Sequence, residues 1–144
     1  MVRGLKVLLM SSAILAMPWS HSKASVGRGH LEAEGRGSVK MHATGHVEFE
    51  LFGEGVLVVQ HQSHLRIEIH GRGDVTVTRD DALVVSSFTG TVNIAGERIN
   101  ASFRRGPVRV SAVGHGQAVL RGRGHFVAND RRGNWSERGT EVRW

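Results

Sequence analysis

Strict alternation along one stretch constrains the fold of this chain more than any other feature. From Leu31 to Val59 the odd-numbered positions carry apolar or small residues, while even-numbered positions such as Glu32, Lys40 and His46 are mostly polar. Side chains of a β-strand alternate between its two faces, whereas a helix would scatter the two sets around its circumference. The sequence therefore predicts strands with one buried and one solvated face.

A repeat of 18 residues organises this alternation. Three consecutive blocks, residues 35–52, 53–70 and 71–88, align without a gap, and each opens with Gly-x-Gly. Later copies, between residues 89 and 139, drift by one or two residues. Glycine allows positive φ and close backbone approach, whereas a dinucleotide-binding loop needs a third glycine and a following helix. We therefore interpret Gly-x-Gly as a recurring turn element.

Two all-β architectures satisfy this repeat. In a β-solenoid (parallel β-helix) each 18-residue block is one coil, and equivalent positions stack directly, as Val39 on Leu57. In an antiparallel β-sandwich or barrel each block is a hairpin, and a Gly-x-Gly loop pairs Glu32 with Lys40. The gapless register over three blocks favours the solenoid, with the antiparallel arrangement as the alternative.

One repeat also resembles a known family. The segment 71–77, Gly-Arg-Gly-Asp-Val-Thr-Val, resembles the recurring strand motif of Gly-rich exported β-helix domains of the head-GIN or autotransporter-adhesin type. In its coil length the chain is more distantly similar to bactofilin-like polymerising β-helices. The resemblance implies a parallel β-helix, an envelope or scaffold role, and no catalytic residues.

The N-terminal segment has the layout of a secretory signal peptide. Arg3 and Lys6 precede or enter an apolar run, and Ser22 and Ala24 place small residues before a cleavage site. We therefore predict a signal peptide over residues 1–24 and a single all-β repeat domain over 25–144. Cleavage near Ala24 would release this domain into the periplasm or to the cell surface. With 0 Cys, the chain cannot form a disulfide scaffold or a thiol active site.

Charge is distributed unevenly along the chain. Residues 25–97 hold 6 Lys and Arg against 10 Asp and Glu, whereas residues 98–144 hold 10 Arg against 3 acidic residues. A concentrated cationic surface attracts anionic polysaccharide or lipid headgroups. Nucleic acid is not expected, because the chain is predicted to be exported and has few aromatic residues for stacking bases. The candidate polyanion-binding residues are Arg104, Arg105, Arg109, Arg121, Arg123, Arg131 and Arg132.

The same imbalance bears on self-association. A solenoid with an acidic first part and a cationic last part would have opposite charges at its two ends. Open strand edges at those ends would also invite pairing with another copy. The sequence therefore predicts end-to-end self-association.

No set of residues indicates catalysis. The 9 His include His46 and His64 at one repeat position with His61 nearby, and these three are the candidates for a metal site. No nucleophile motif accompanies them, so we expect neither an enzyme nor a cofactor.

The predicted function is therefore a non-enzymatic exported envelope protein with a structural, adhesive or self-assembling role. One alternative is a module that binds anionic envelope polymers through the Arg-rich C-terminal half. Another is a small outer-membrane β-barrel, because the chain ends on Trp144 as the final strand of such barrels does. Otherwise Trp144 and Trp135 are expected to cap the end of the apolar core.

Overall fold

The computed structural model describes residues 28–144, and the predicted signal peptide lies outside that range. The described chain is all-β, as predicted, with one 3-10 turn at Gln62–His64. No helix in this part of the chain is long and apolar enough to cross a membrane. The strands are β1 (Gly29–Phe52), β2 (Val56–Val59), β3 (Arg66–Val77), β4 (Leu83–Ala128), β5 (Arg131–Asn134) and β6 (Thr140–Arg143).

The longest strand, β4, holds the sheet together. It pairs with each of the other five strands, and its pairing with β1, β3, β5 and β6 is antiparallel. The chain therefore runs out along residues 29–77, here the outgoing leg, and back along residues 83–128, the return leg. Because the two legs interleave, neighbours in the sheet are distant in sequence.

The register shows that the paired legs wind around a common axis. Residues 108–112 of the return leg lie beside 31–35 on one side and beside 47–51 on the other. These two stretches belong to the same strand, 16 residues apart, and a straight strand of that length spans about 53 Å. β1 must therefore complete one full turn between them.

The winding divides the strands into two sets of segments that enclose the core. The first set, in spatial order, is 131–134, 125–128, 31–35, 108–112, 47–51, 90–94 and 67–71. The second set is 140–143, 117–120, 39–43, 99–103, 56–59, 83–86 and 74–77. Inward side chains from both sets form one apolar cluster, including Phe49, Ile94 and Phe103, each 0% exposed. The predicted buried odd positions of β1 are confirmed, and one core is shared by both legs.

Both pairing schemes considered from the sequence name the wrong neighbours. Val39 does not stack on Leu57, because Phe103 of the return leg lies between them and is opposite both. Glu32 does not pair with Lys40; it lies opposite Ser111 and Val127. Val39 and Leu57, which are 18 residues apart, do lie in the same row across the sheet, but they are two strands apart.

The Gly-x-Gly elements at 35–37, 71–73, 114–116 and 122–124 are corners within continuous strands, whereas the one at 53–55 separates β1 from β2. Gly37 (φ 148°) lies opposite Gly122 (φ 125°) where both legs pass from one set to the other. A Cβ on Gly37 would collide with the carbonyl oxygen of Arg121, and one on Gly122 with that of Arg36. The expected positive φ and close backbone approach are therefore present. They occur where the backbones of two paired strands meet at a bend, and not in a turn that joins two strands.

Three β-bulges account for the drift of the later repeats. Ser87, Arg98 and Arg105 all have positive φ, at 49°, 57° and 63°. At each of them the return leg contains one residue more than the strand beside it, so the ladder register shifts by one. The buried positions consequently switch between odd and even numbers at each bulge, as from Ile94 to Ile99 and from Phe103 to Val108.

The two ends of the wound sheet differ. At one end Trp135 and Trp144 belong to the core and are only 5% and 8% exposed. At the other end β3 is the outermost strand. Its Ile69 is buried, but Ile67, Val75 and Val77 are only partly buried. The tryptophans therefore close one end of the core, while the β3 end is less completely covered.

Candidate functional site

The outer surface of the first set of segments carries a cluster of carboxylates around Arg109. The guanidinium lies 3.3 Å from Glu34 and 3.1 Å from Glu50, which come from the two flanking stretches of β1. Partial burial lowers the pKa of Arg109, but the hydrogen bonds and charges of these carboxylates outweigh it and raise that pKa. The surface, here the acidic face, surrounds a cleft of about 600 Å³ lined by Glu32, Ala33, Glu34, Glu48, Glu50, Arg109, Val110, Ser111, His125 and Val127.

Glu48 is the most perturbed carboxylate of the acidic face. It lies opposite Ser111 on one side and Asn93 on the other, and it is half-buried. Burial raises its pKa above the usual value of 4.5, with neighbouring Glu50 acting in the same direction and His46 and His70 acting against it. Alternation of sign is confined to the row that contains Arg109. Carboxylates outnumber guanidiniums around the cleft, so the acidic face is negative overall.

The opposite arrangement occurs at the corner where residues 35–38, 104–107 and 121–124 meet. Arg36 lies directly opposite Arg123, and Ser38 lies opposite Arg121. Arg105 lies in the bulge just before Gly106, which is opposite Gly37. All the arginines of this corner are exposed, and we call them the arginine edge: Arg36, Arg104, Arg105, Arg121 and Arg123.

The arginine edge has little internal charge compensation. Arg36 forms an exposed ion pair with Glu54 at 3.2 Å. Within residues 28–144, the other four arginines have no carboxylate within ion-pair distance. Like charges directly opposite each other on a sheet are destabilising, so the pair Arg36 and Arg123 costs the fold some stability. The same fold avoids this cost at Arg109 by placing it between two glutamates.

The structure thus divides the predicted polyanion-binding residues into three groups. Arg104, Arg105, Arg121 and Arg123 converge on the arginine edge, whereas Arg109 lies on the acidic face. Arg131 and Arg132 lie in β5, opposite Ala128 and Val127, at the far end of the segment that starts at Arg123.

Sequence reasoning also missed one member of the edge. Arg36 lies in the acidic part of the chain and was not among the candidates. The tripeptide Gly-Arg-Gly could have indicated it, because it occurs at both 35–37 and 122–124. In the fold these two copies pair with each other.

The three candidate histidines are not brought together as metal ligands. His46 lies on β1 opposite Ala95 and Val113. His64 has its Nε2 3.0 Å from the carbonyl oxygen of Glu97, and His61 adopts φ 48° before the 3-10 turn. Among the residues that the structure describes, no group of three or more His, Asp or Glu side chains could hold a metal ion.

Comparisons of the chain with protein-family models, with curated proteins and with solved structures found no match. The resemblance of segment 71–77 to the head-GIN type therefore stays a prediction.

Proposed function

We propose that this protein is a non-enzymatic binding module for anionic polymers of the cell envelope, and that the arginine edge is its binding surface. The observation that carries the proposal is the accumulation of Arg104, Arg105, Arg121 and Arg123 beside Arg36 at one corner. These residues come from three separate stretches of the chain, so their convergence depends on the fold.

Two surfaces of the molecule differ in how their arginines are compensated. On the acidic face, Arg109 is paired with Glu34 and Glu50. At the arginine edge, Arg36 and Arg123 oppose each other, and four guanidiniums have no acidic partner among the described residues. A polymer carrying regularly spaced carboxylates, sulfates or phosphates would supply the missing charge, and guanidinium groups bind such oxyanions through paired hydrogen bonds.

The proposal includes the predicted export. An exported protein meets anionic polysaccharides and lipid headgroups, whereas nucleic acid is chiefly inside the cell. Export itself depends on residues 1–24, which the structure does not describe. Cleavage near Ala24 is checked by sequencing the N-terminus of the protein recovered from the periplasm or the medium.

The test compares two variants of equal net charge on immobilised heparin, a sulfated polysaccharide. One variant carries Arg→Gln at 104, 105, 121 and 123, and the control carries Arg→Gln at 79, 98, 131 and 132. We expect the edge variant to elute at a clearly lower NaCl concentration than the control, because screening by salt acts on the contacts that bind the polymer. Equal elution of the two variants would show that only net charge matters, and the proposal would then be wrong.

A structural or self-assembling role is the second candidate. The observation that favours it is the outermost strand β3, which has a paired neighbour on one side only. Self-association that increases with protein concentration, without added polymer, would support this role.

A further inference from the structure

The open side of β3 is the longest unpaired strand edge in residues 28–144. β3 has 12 residues and pairs with β4 along one side only, whereas β5 and β6, at the other end, have 4 residues each. Side chains of Ile67, Val75 and Val77 pack against the core but stay partly exposed. An exposed edge of this length with apolar residues is a template for another strand.

β3 contains the tripeptide Gly-Arg-Gly, two other copies of which pair with each other inside the molecule. Within the fold, Gly35-Arg36-Gly37 lies antiparallel to Gly122-Arg123-Gly124, with Gly35 opposite Gly124 and Gly37 opposite Gly122. β3 bends at the same tripeptide, Gly71-Arg72-Gly73, with φ values of 143° and 146° at its glycines. A strand added to this edge must bend at the same place. The close backbone approach of Gly71 and Gly73 themselves is to Thr89 and Ser87 of β4, on the paired side.

We infer that the partner of this edge is β3 of a second copy of the chain, paired antiparallel about a two-fold axis at Arg72. This register sets Gly71 opposite Gly73 of the other copy, which repeats the corner formed by 35–37 and 122–124. Among antiparallel registers of β3 with itself, it is the one in which the two bends coincide. A two-fold contact of this kind closes the assembly at two copies.

The side chains on either side of the corner suit this register. Ile69 faces Val75 and Ile67 faces Val77, so the partly exposed apolar residues of each copy extend the buried rows of the other. On the outward side, His70 faces Asp74, which places a carboxylate next to an imidazole. Arg72 faces its own copy, just as Arg36 faces Arg123 inside the fold. The apolar pairs and the pair of His70 with Asp74 are directly opposed side chains of the kind that stabilise a sheet, whereas the like charges at Arg72 act against pairing.

The remaining end of the molecule is a poorer partner for β3. Trp135 and Trp144 close the core there, and residues 135–139 separate its two short strands. The contact is therefore symmetric and not head-to-tail, and it differs from the end-to-end association predicted from charge. One 12-residue edge buries less than the roughly 1,600 Å² of a standard interface, so we expect a weak, concentration-dependent dimer.

Engineered cysteines test the register, because the chain contains 0 Cys. Directly opposite residues in an antiparallel pair have Cα atoms about 4.5–5.5 Å apart, which suits a disulfide. In the full chain, with oxidised glutathione as oxidant, we expect Arg72→Cys to form a covalent dimer. We expect His70→Cys and Asp74→Cys, when mixed, to form the heterodimer well in excess of either homodimer.

The control is Lys40→Cys, on the exposed outer side of β1 between Ser102 and Val119, where only background cross-linking is expected. Preferential cross-linking of His70→Cys to itself would mean another register, and cross-linking of Arg72→Cys no faster than Lys40→Cys would mean no β3 pairing. Either result would overturn the inference. Neither result depends on whether the arginine edge binds a polymer.

Discussion

Glu34 and Glu50 lie 16 positions apart on one strand, yet both carboxylates bind the same guanidinium, that of Arg109. This relationship requires the strand to make a full turn. It also places two like charges where only the cation between them keeps them from repelling each other.

Replacing Arg109 by Gln is therefore expected to destabilise the fold. Two exposed ion pairs are lost and two glutamates face each other across the strand, so we expect the free energy of unfolding in urea to fall by roughly 1 kcal/mol. Added NaCl should reduce the loss, because these charges are partly exposed. Arg131→Gln is the control with the same charge change, since Arg131 has no ion pair within the described residues. Equal losses in both variants would contradict this account of Arg109.

Gly37→Ala tests the close approach at the corner. The new Cβ would meet the carbonyl oxygen of Arg121, and φ 148° is unfavourable for alanine. Backbone strain of this kind costs about 1–3 kcal/mol, and the steric conflict adds to it. We expect a loss above about 2 kcal/mol in chemical denaturation, whereas the neighbouring Ser38→Ala should stay within about 0.5 kcal/mol of the parent. A Gly37→Ala protein as stable as Ser38→Ala would show that the backbones at this corner can separate freely.

The positive φ of Arg105 in its bulge can be tested by comparing two variants of equal net charge. Arg105→Gly relieves a left-handed conformation that costs a non-glycine residue about 1–2 kcal/mol, while glycine adds a smaller entropic cost. Arg104→Gly removes the same charge one position earlier and brings only the entropic cost. We expect the Arg105→Gly protein to be the more stable of the two by about 1 kcal/mol in urea unfolding. The reverse order would mean that Arg105 does not adopt positive φ in solution.

Glu48 makes a prediction about pH. Its pKa is raised in the folded protein, mainly by burial, so the folded state favours the protonated side chain. The stability that this provides is complete below the usual pKa of 4.5 and is lost as the pH rises through the raised folded value. Glu48→Gln keeps a neutral side chain at every pH. Its melting temperature should exceed that of the parent at pH 7, and the gap should close toward pH 3; a gap of constant size would refute the assigned cause.

How far the sequence predicts this fold depends on which interactions are local. Alternation is a local property of each strand, so the inward residues of β1, from Leu31 to Leu51, could be identified correctly. The 18-residue period holds in the row that contains Val39 and Leu57, but the turn from Glu34 to Glu50 takes 16 residues. Strand neighbours were not predictable, because Phe103 lies between Val39 and Leu57 and nothing local specifies a partner 46 or more positions away.

The site shows the same division. The sequence indicated that arginine was concentrated in the last third, and four of those arginines do share one surface. It could not indicate that Arg109 is neutralised by Glu34 and Glu50, or that Arg36 completes the edge. Both facts follow from which stretches of the two legs lie side by side.

The interleaving of the two legs also has a consequence for when this protein can fold. Leu31 needs Ala112 and Ala128 as its neighbours in the sheet, so the start of β1 has no partner until most of the chain has been made. Contacts between such distant residues slow folding, because a long loop must close before they form. We therefore expect the start of β1 to enter the sheet only after most of the chain has been synthesised. A chain that ends before Gly116 would keep one neighbour of residues 31–35 and 39–43 but lose the other, and the core would be open at that end.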